Sequence, residues 1–90
     1  MNATRRKAIA DIVEKVNELK DQLESLKGDA ESLRDEEQEY MDSIPENMQG
    51  GERYQKASDA VDNFEEADGY FDDAISALEE IVSDLESAAE

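Results

Sequence analysis

Adjacent carboxylates are the residues of this chain most suited by type to catalysis. They occur as pairs at Glu36-Glu37, Glu65-Glu66, Asp72-Asp73 and Glu79-Glu80. Such pairs perform acid–base catalysis when a cleft raises the pKa of one carboxyl group. The chain has no His and no Cys, so it lacks the commonest general base and any thiol nucleophile. A narrow helical protein, which the rest of the sequence predicts, offers no such cleft, and we predict that it is not an enzyme.

The acids around Gly69 superficially resemble a calcium-binding loop. Asp68 precedes this glycine, and Asp72 and Asp73 follow it. An EF-hand loop needs an acid or Asn five residues before its glycine, and Phe64 occupies that position. We therefore predict a solvated helix face here, with no metal site and no cofactor.

Two groups of basic and polar residues offer a third kind of chemistry, the binding of an anion. If two chains packed antiparallel, the N-terminal group of one would approach the central group of the other and form a composite site. The simpler interpretation is that the bases balance nearby acids and the polar residues cap helix ends. The candidate residues are Arg5, Arg6, Lys7, Asn47, Gln49, Arg53, Tyr54 and Lys56.

The elements that carry these residues follow from the apolar pattern. Apolar residues recur in alternating steps of three and four from Ile9 to Ile44, interrupted only by Glu37, and again from Tyr54 to Ala89, interrupted only by Asp68. Such heptads, with a and d positions apolar, are typical of helices packed as a coiled coil. Buried polar residues at Glu37 and Asp68 would fix the register, unless these positions stay wet.

A single turn separates the two series. Pro45 disfavours helix, and Gly50-Gly51 permits positive φ. The sequence thus predicts one all-α domain over residues 1–90, an antiparallel two-helix hairpin. Helix 1 spans about 4–42 with Thr4 as its cap, the turn spans 43–51, and helix 2 spans about 52–88.

Charges beside the apolar seam predict the register of the hairpin. In an antiparallel pair the e positions of one helix face those of the other. Opposite charges would then meet in one common register. The three pairs are Lys20 with Glu79, Lys27 with Asp72, and Arg34 with Glu65.

The g positions of helix 2 make its apolar face wider than a two-helix seam requires. Small side chains let another helix approach closely, and two helices alone bury too little apolar surface. We therefore predict a homo-oligomer, most simply a dimer that forms a four-helix bundle. The predicted oligomer face is Ala60, Ala67, Ala74, Ile81 and Ala88.

The net charge of −17 is concentrated in the second part of the chain. Residues 1–34 hold seven bases and seven acids, and no base occurs after Lys56. This excludes direct binding of nucleic acid by the acidic half and favours partners with basic surfaces, unless the charge serves only solubility. The absence of a long apolar run predicts a cytoplasmic protein without a membrane segment or signal peptide. The outward acidic face of helix 2 carries Asp59, Glu66, Asp73 and Glu80.

Two segments resemble a known group of proteins. They are the start Arg5-Arg6-Lys7-Ala8 and the central run from Arg34 to Tyr40, followed by Asp42, Pro45-Glu46-Asn47 and Gln49. The chain resembles small acidic coiled-coil proteins of phages and prophages, a group without an assigned reaction or ligand. The resemblance implies a phage context, in which small acidic proteins often inhibit host machinery or defence systems.

Three binding functions remain open from the sequence, beside a purely structural role in a particle or assembly. The first is a non-enzymatic interaction protein, a phage-encoded inhibitor or modulator of a host defence protein in the host cytoplasm. The second is an acidic mimic of DNA that blocks a nucleic-acid-binding enzyme. The third is an oligomer that sequesters a small anionic ligand such as a nucleotide at the composite basic site.

Overall fold

The computed structural model describes every residue, Met1–Glu90. Helix α1 spans Ala3–Ser43, a short 3-10 turn spans Glu46–Met48, and helix α2 spans Glu52–Ala88. There is no strand, and the predicted all-α helical hairpin is confirmed. The ranges predicted from the sequence, about 4–42 and about 52–88, lie within one residue of the observed bounds.

Helix α1 begins with a side-chain cap at a different residue from the one that the sequence predicts. The backbone N–H of Arg5 donates to Oδ1 of Asn2 at 2.8 Å, so Asn2 caps the helix and Thr4 does not. The helix continues through Gly28 without a break. At its C-terminal end the Ser43 hydroxyl donates to the carbonyl of Tyr40 at 2.6 Å, shortly before Pro45 stops the helix.

The turn between the helices is anchored by one apolar residue. Ile44 is only 5% exposed, and its N–H donates to the carbonyl of Met41. Neither Gly50 nor Gly51 has a positive φ, so this part of the turn prediction is wrong. A Cβ at Gly51 would lie 3.3 Å from the carbonyl oxygen of Met48, so close backbone approach accounts for glycine there.

The hairpin consists of two packed units. The terminal unit comprises Met1–Ser25 with Phe71–Glu90, and the loop unit comprises Leu26–Tyr70. The loop unit contains the only buried apolar side chains, Ile44, Ala57 and Val61. In the terminal unit, packing is limited to half-buried side chains.

In both units α1 presents a different face to the seam from the one the sequence predicted. With Ile9 taken as position a, its half-buried rows are a and e, whereas its d row is exposed. Long basic side chains cover apolar surface with their aliphatic stems, so Lys20 in the terminal unit and Arg34 in the loop unit can occupy seam positions. Helix α2 packs through its a and d rows as predicted. The predicted seam residues left exposed on α1 are Ile12, Leu19, Leu26, Leu33 and Tyr40.

Candidate interaction surfaces

The N-terminal basic cluster lies in the terminal unit, where one of its members is already engaged. The Arg6 guanidinium donates from Nε to the carbonyl of Ala89 at 3.1 Å. A cation at this position stabilises the negative end of the α2 dipole and satisfies one of its last carbonyls. The side chains of Arg5 and Lys7 are exposed beside it. Arg6 therefore acts as a cap of α2, which leaves two bases for an external anion.

The central polar group lies in the loop unit, and its bases have partners within the chain. Nε of Arg53 donates to the Tyr40 hydroxyl at 2.8 Å, and its guanidinium lies 5.7 Å from the centre of that ring. Lys56 forms an ion pair with Glu52 at 3.2 Å. Of the other candidates in this group, Asn47 and Gln49 are exposed, and Tyr54 is half-buried.

The charge pairs predicted to set the register are not the ones that form within the units. Arg34 is bonded to its neighbour Asp35 at 3.1 Å and not to Glu65. This hydrogen bond raises the pKa of Arg34, and the charge of Asp68 adds to the effect. The e row of α1 lies in the seam, which brings the charge of Arg34 near Asp68 of the a row of α2.

The other two predicted pairs differ in their outcome. In the terminal unit, Lys20 and Glu79 form no ion pair. This prediction is wrong for the same reason, since the e row of α1 lies in the seam. The pair of Lys27 with Asp72 joins residues of different units and stays a prediction.

Asp68 is an exception within the apolar seam. It is half-buried at an a position, and its Oδ1 is shielded from water without a hydrogen-bond partner. Glu37, the other polar a residue, is also half-buried. A shielded polar atom without a hydrogen-bond partner costs free energy, and the attraction between the charges of Arg34 and Asp68 offsets part of this cost.

The acidic face of α2 is exposed and is not neutralised by bases. Asp59 accepts a hydrogen bond from Gln55 at 2.9 Å, and Glu66 accepts one from the Tyr70 hydroxyl at 3.2 Å. Asp73 and Glu80 are exposed without such contacts. Because the bonds at Asp59 and Glu66 come from neutral donors, all four carboxylates retain their charge for a partner.

An exposed apolar row on α1 is the largest surface feature that sequence reasoning missed. Each residue of the row is between 40% and 53% exposed, although all are large. The signal that would have revealed it is the e row, where long basic stems and Val13 and Met41 provide a third row able to enter the seam. The row is Ile12 and Leu19 in the terminal unit, and Leu26, Leu33 and Tyr40 in the loop unit.

Helix α2 carries a second apolar row, which the sequence did predict. In the loop unit Ala60 and Ala67 are half-buried and line an open groove of about 380 Å³ together with Asn63 and Phe64. In the terminal unit Ala74 is half-buried, whereas Ile81 and Ala88 are exposed. The neighbouring c row continues this face without acids, through Asn63 and Tyr70 in the loop unit and Ala77 in the terminal unit.

No protein family, curated protein or solved structure matches this chain. Neither helix combines the length and apolar character that a membrane crossing requires. No group of three acids is arranged to hold a metal ion.

Proposed function

We propose that this chain is a non-catalytic protein-binding module that engages a basic surface of its target through the acidic outer face of α2. The carrying observation is that Asp59, Glu66, Asp73 and Glu80 are exposed on one helix row without a base to neutralise them. Unpaired carboxylates on a rigid helix attract a basic partner and accelerate its association. In the phage context that the resemblance implies, the target is a host protein.

Self-association is part of this proposal. The homo-oligomer predicted from the sequence would bury the apolar rows of both helices. The acidic f row of α2 lies about 100° around the helix from its g row and points away from the seam, so it would stay available to a target.

The test compares two variants of equal charge. In the first, four acids of the α2 face become amides: Asp59→Asn, Glu66→Gln, Asp73→Asn and Glu80→Gln. In the control, four exposed acids of α1 become amides: Asp11→Asn, Glu14→Gln, Glu18→Gln and Asp21→Asn. Immobilised wild type, α2 variant and control are exposed to host cytosol and eluted with rising salt.

The proposal expects a host protein that the wild type and the control retain and the α2 variant loses. Binding of the purified target should weaken as salt rises, because the contact is between exposed charges. Equal retention by all three chains, or a contact that is indifferent to salt, would refute the role of the acidic face.

A second candidate function is mimicry of duplex DNA, which the regular spacing of the same carboxylates supports. Successive members of the row are seven residues apart, or about 10 Å along the helix axis. The e row adds Glu65, Asp72, Glu79 and Glu86 beside it. A mimic would compete with duplex DNA for one site on the captured protein, whereas a general protein binder would leave DNA binding intact.

The third candidate, sequestration of a small anion, depends on bringing the two basic groups together between chains. Arg6 and Arg53 each have a partner within the chain, at Ala89 and Tyr40. An anion such as a nucleotide would have to displace these contacts. Thermal stabilisation by a nucleotide, lost in Arg5→Glu/Arg6→Glu, would favour this function over the other two.

A further inference from the structure

We propose that the apolar face formed by the d row of α1 and the g row of α2 is covered by the same face of a second copy, with the two turns at the same end of a four-helix bundle. This inference rests on the self-association in the proposed function but not on the identity of the target. It specifies the occupant, the contacting rows and the direction of packing.

The d row of α1 and the g row of α2 face the same side of each unit. On a helix, the d row lies between the a row and the g row. In an antiparallel hairpin the g sides of both helices coincide, so the exposed d row of α1 and the g row of α2 flank one face. In the loop unit this face includes Leu33 and Tyr40 on α1 and the groove at Ala60 and Ala67 on α2.

The amount of exposed surface fits a missing contact of dimer size. The chain exposes 6477 Å². A folded monomer of 10.1 kDa exposes about 5,300 Å². The excess is of the same order as the roughly 800 Å² that each partner contributes to a standard interface.

The rows are complementary in size, which is what a self-contact requires. Large residues repeat every seven positions on α1, and mostly alanines repeat every seven positions on α2. A contact with two-fold symmetry needs both halves on one chain, because each copy supplies what the other receives. Packing α1 of one copy against α2 of the other would place Leu33 against the second copy's Ala67 and Tyr40 against its Ala60.

The sizes of the residues in the two rows select the direction of packing. With the turns at the same end, Glu36 meets the uncharged Asn63 of the second copy, and Lys15 meets its Asp84. With the turns at opposite ends, two-fold symmetry would pack α1 on the second copy's α1 and α2 on its α2. Leu33 would then lie near the second copy's Ile12, with large residues facing large residues and alanines facing alanines. The first arrangement instead fits large residues against small ones and gains an opposite-charge pair.

The net charge of −17 on each copy opposes association but does not act at this face. Between Ala60 and Ile81 the g and c positions of α2 carry no acid. The acids of the e and f rows stay in water, where salt at physiological strength screens charges over about 8 Å. Raising the salt concentration should therefore strengthen the dimer while it weakens the contact with a basic target.

The first arm of the test measures mass in solution by analytical ultracentrifugation across a range of concentrations. Wild type should be a dimer. Leu33→Asp should raise its dissociation constant on the order of 100-fold or more, because the charge enters the contact twice. The control Ser32→Asp adds the same charge to the neighbouring exposed residue and should change the constant less than about threefold.

The second arm keeps the proposal testable if Leu33→Asp unfolds. The chain has no Cys, so a tagged Leu33→Cys chain can be mixed with an untagged Ala67→Cys or Ile12→Cys chain under oxidising conditions. A disulfide needs Cα atoms within about 7 Å. Packing with the turns together predicts the crosslink of position 33 to position 67.

The outcomes separate this inference from the proposed function. A crosslink of position 33 to position 12 would overturn the direction of packing, and a dimer indifferent to Leu33→Asp would overturn the contact face, yet target binding could stand in both cases. A fully helical monomer would overturn this inference and the self-association together, with the acidic face still open to test.

Discussion

Filling the two helical glycines should stabilise the hairpin, because neither has a structural role that a methyl group would disturb. Gly28 lies inside α1 and Gly69 inside α2, and a Cβ at either would meet no atom within 4 Å. Glycine in a helix interior costs about 1 kcal/mol relative to alanine, since more backbone freedom is lost on folding. Gly28→Ala/Gly69→Ala should therefore raise the free energy of unfolding by about 2 kcal/mol.

Urea and thermal unfolding followed by circular dichroism would measure this gain. For a chain of this size, 2 kcal/mol corresponds to a rise in Tm of about 8–16 °C. Gly51→Ala is the matched control, because its Cβ would press on the Met48 carbonyl, and it should give no such gain. A loss of stability in Gly28→Ala would refute the reasoning and mean that α1 is interrupted there, with Asp29 capping a separate segment.

Three further substitutions address single contacts. Asn2→Ala should lower the free energy of unfolding by about 1 kcal/mol through loss of the α1 cap, whereas Thr4→Ala should change it by less than about 0.5 kcal/mol. Tyr40→Phe should lower the free energy of unfolding, measured with urea, by about 0.5–1 kcal/mol, because Arg53 loses the hydroxyl to which it donates. Asp68→Leu should add about 1 kcal/mol or more by removing a shielded oxygen without a partner, and a loss there would show that this oxygen is satisfied in solution.

The fold could be predicted because its determinants are local and repetitive. The heptad spacing gives two helices, and Pro45 with the nearby glycines gives one turn. The cap was missed because Asn2 and Thr4 are both good capping residues, and only backbone geometry distinguishes them. The turn forms without positive φ because its 3-10 segment closes it with ordinary backbone angles.

The rotation of α1 could not be predicted, because the heptad rule treats charged residues as seam boundaries. Arg34 and Lys20 count as polar in such a pattern, yet their stems are as apolar as the leucines that they replace in the seam. A rotation by one row exchanges the d row for the e row and also breaks the pairs predicted for Lys20 and Arg34. The pair predicted between Arg34 and Glu65 is wrong for this reason, although the two predicted helices and their hairpin are confirmed.

The distribution of acids on α2 ties the two proposed surfaces together. Nine of the eleven e and f positions of this helix are acidic, whereas none of the seven g and c positions from Ala60 to Ile81 is. If the acids served solubility alone, we would expect them in the g and c rows as well as in the e and f rows. Burial of the g and c rows against a second copy explains why acids are excluded there, since an unpaired carboxylate in an interface is costly. The dimer would then have two acidic faces on opposite sides of one bundle, so it would offer a basic target two equivalent docking surfaces.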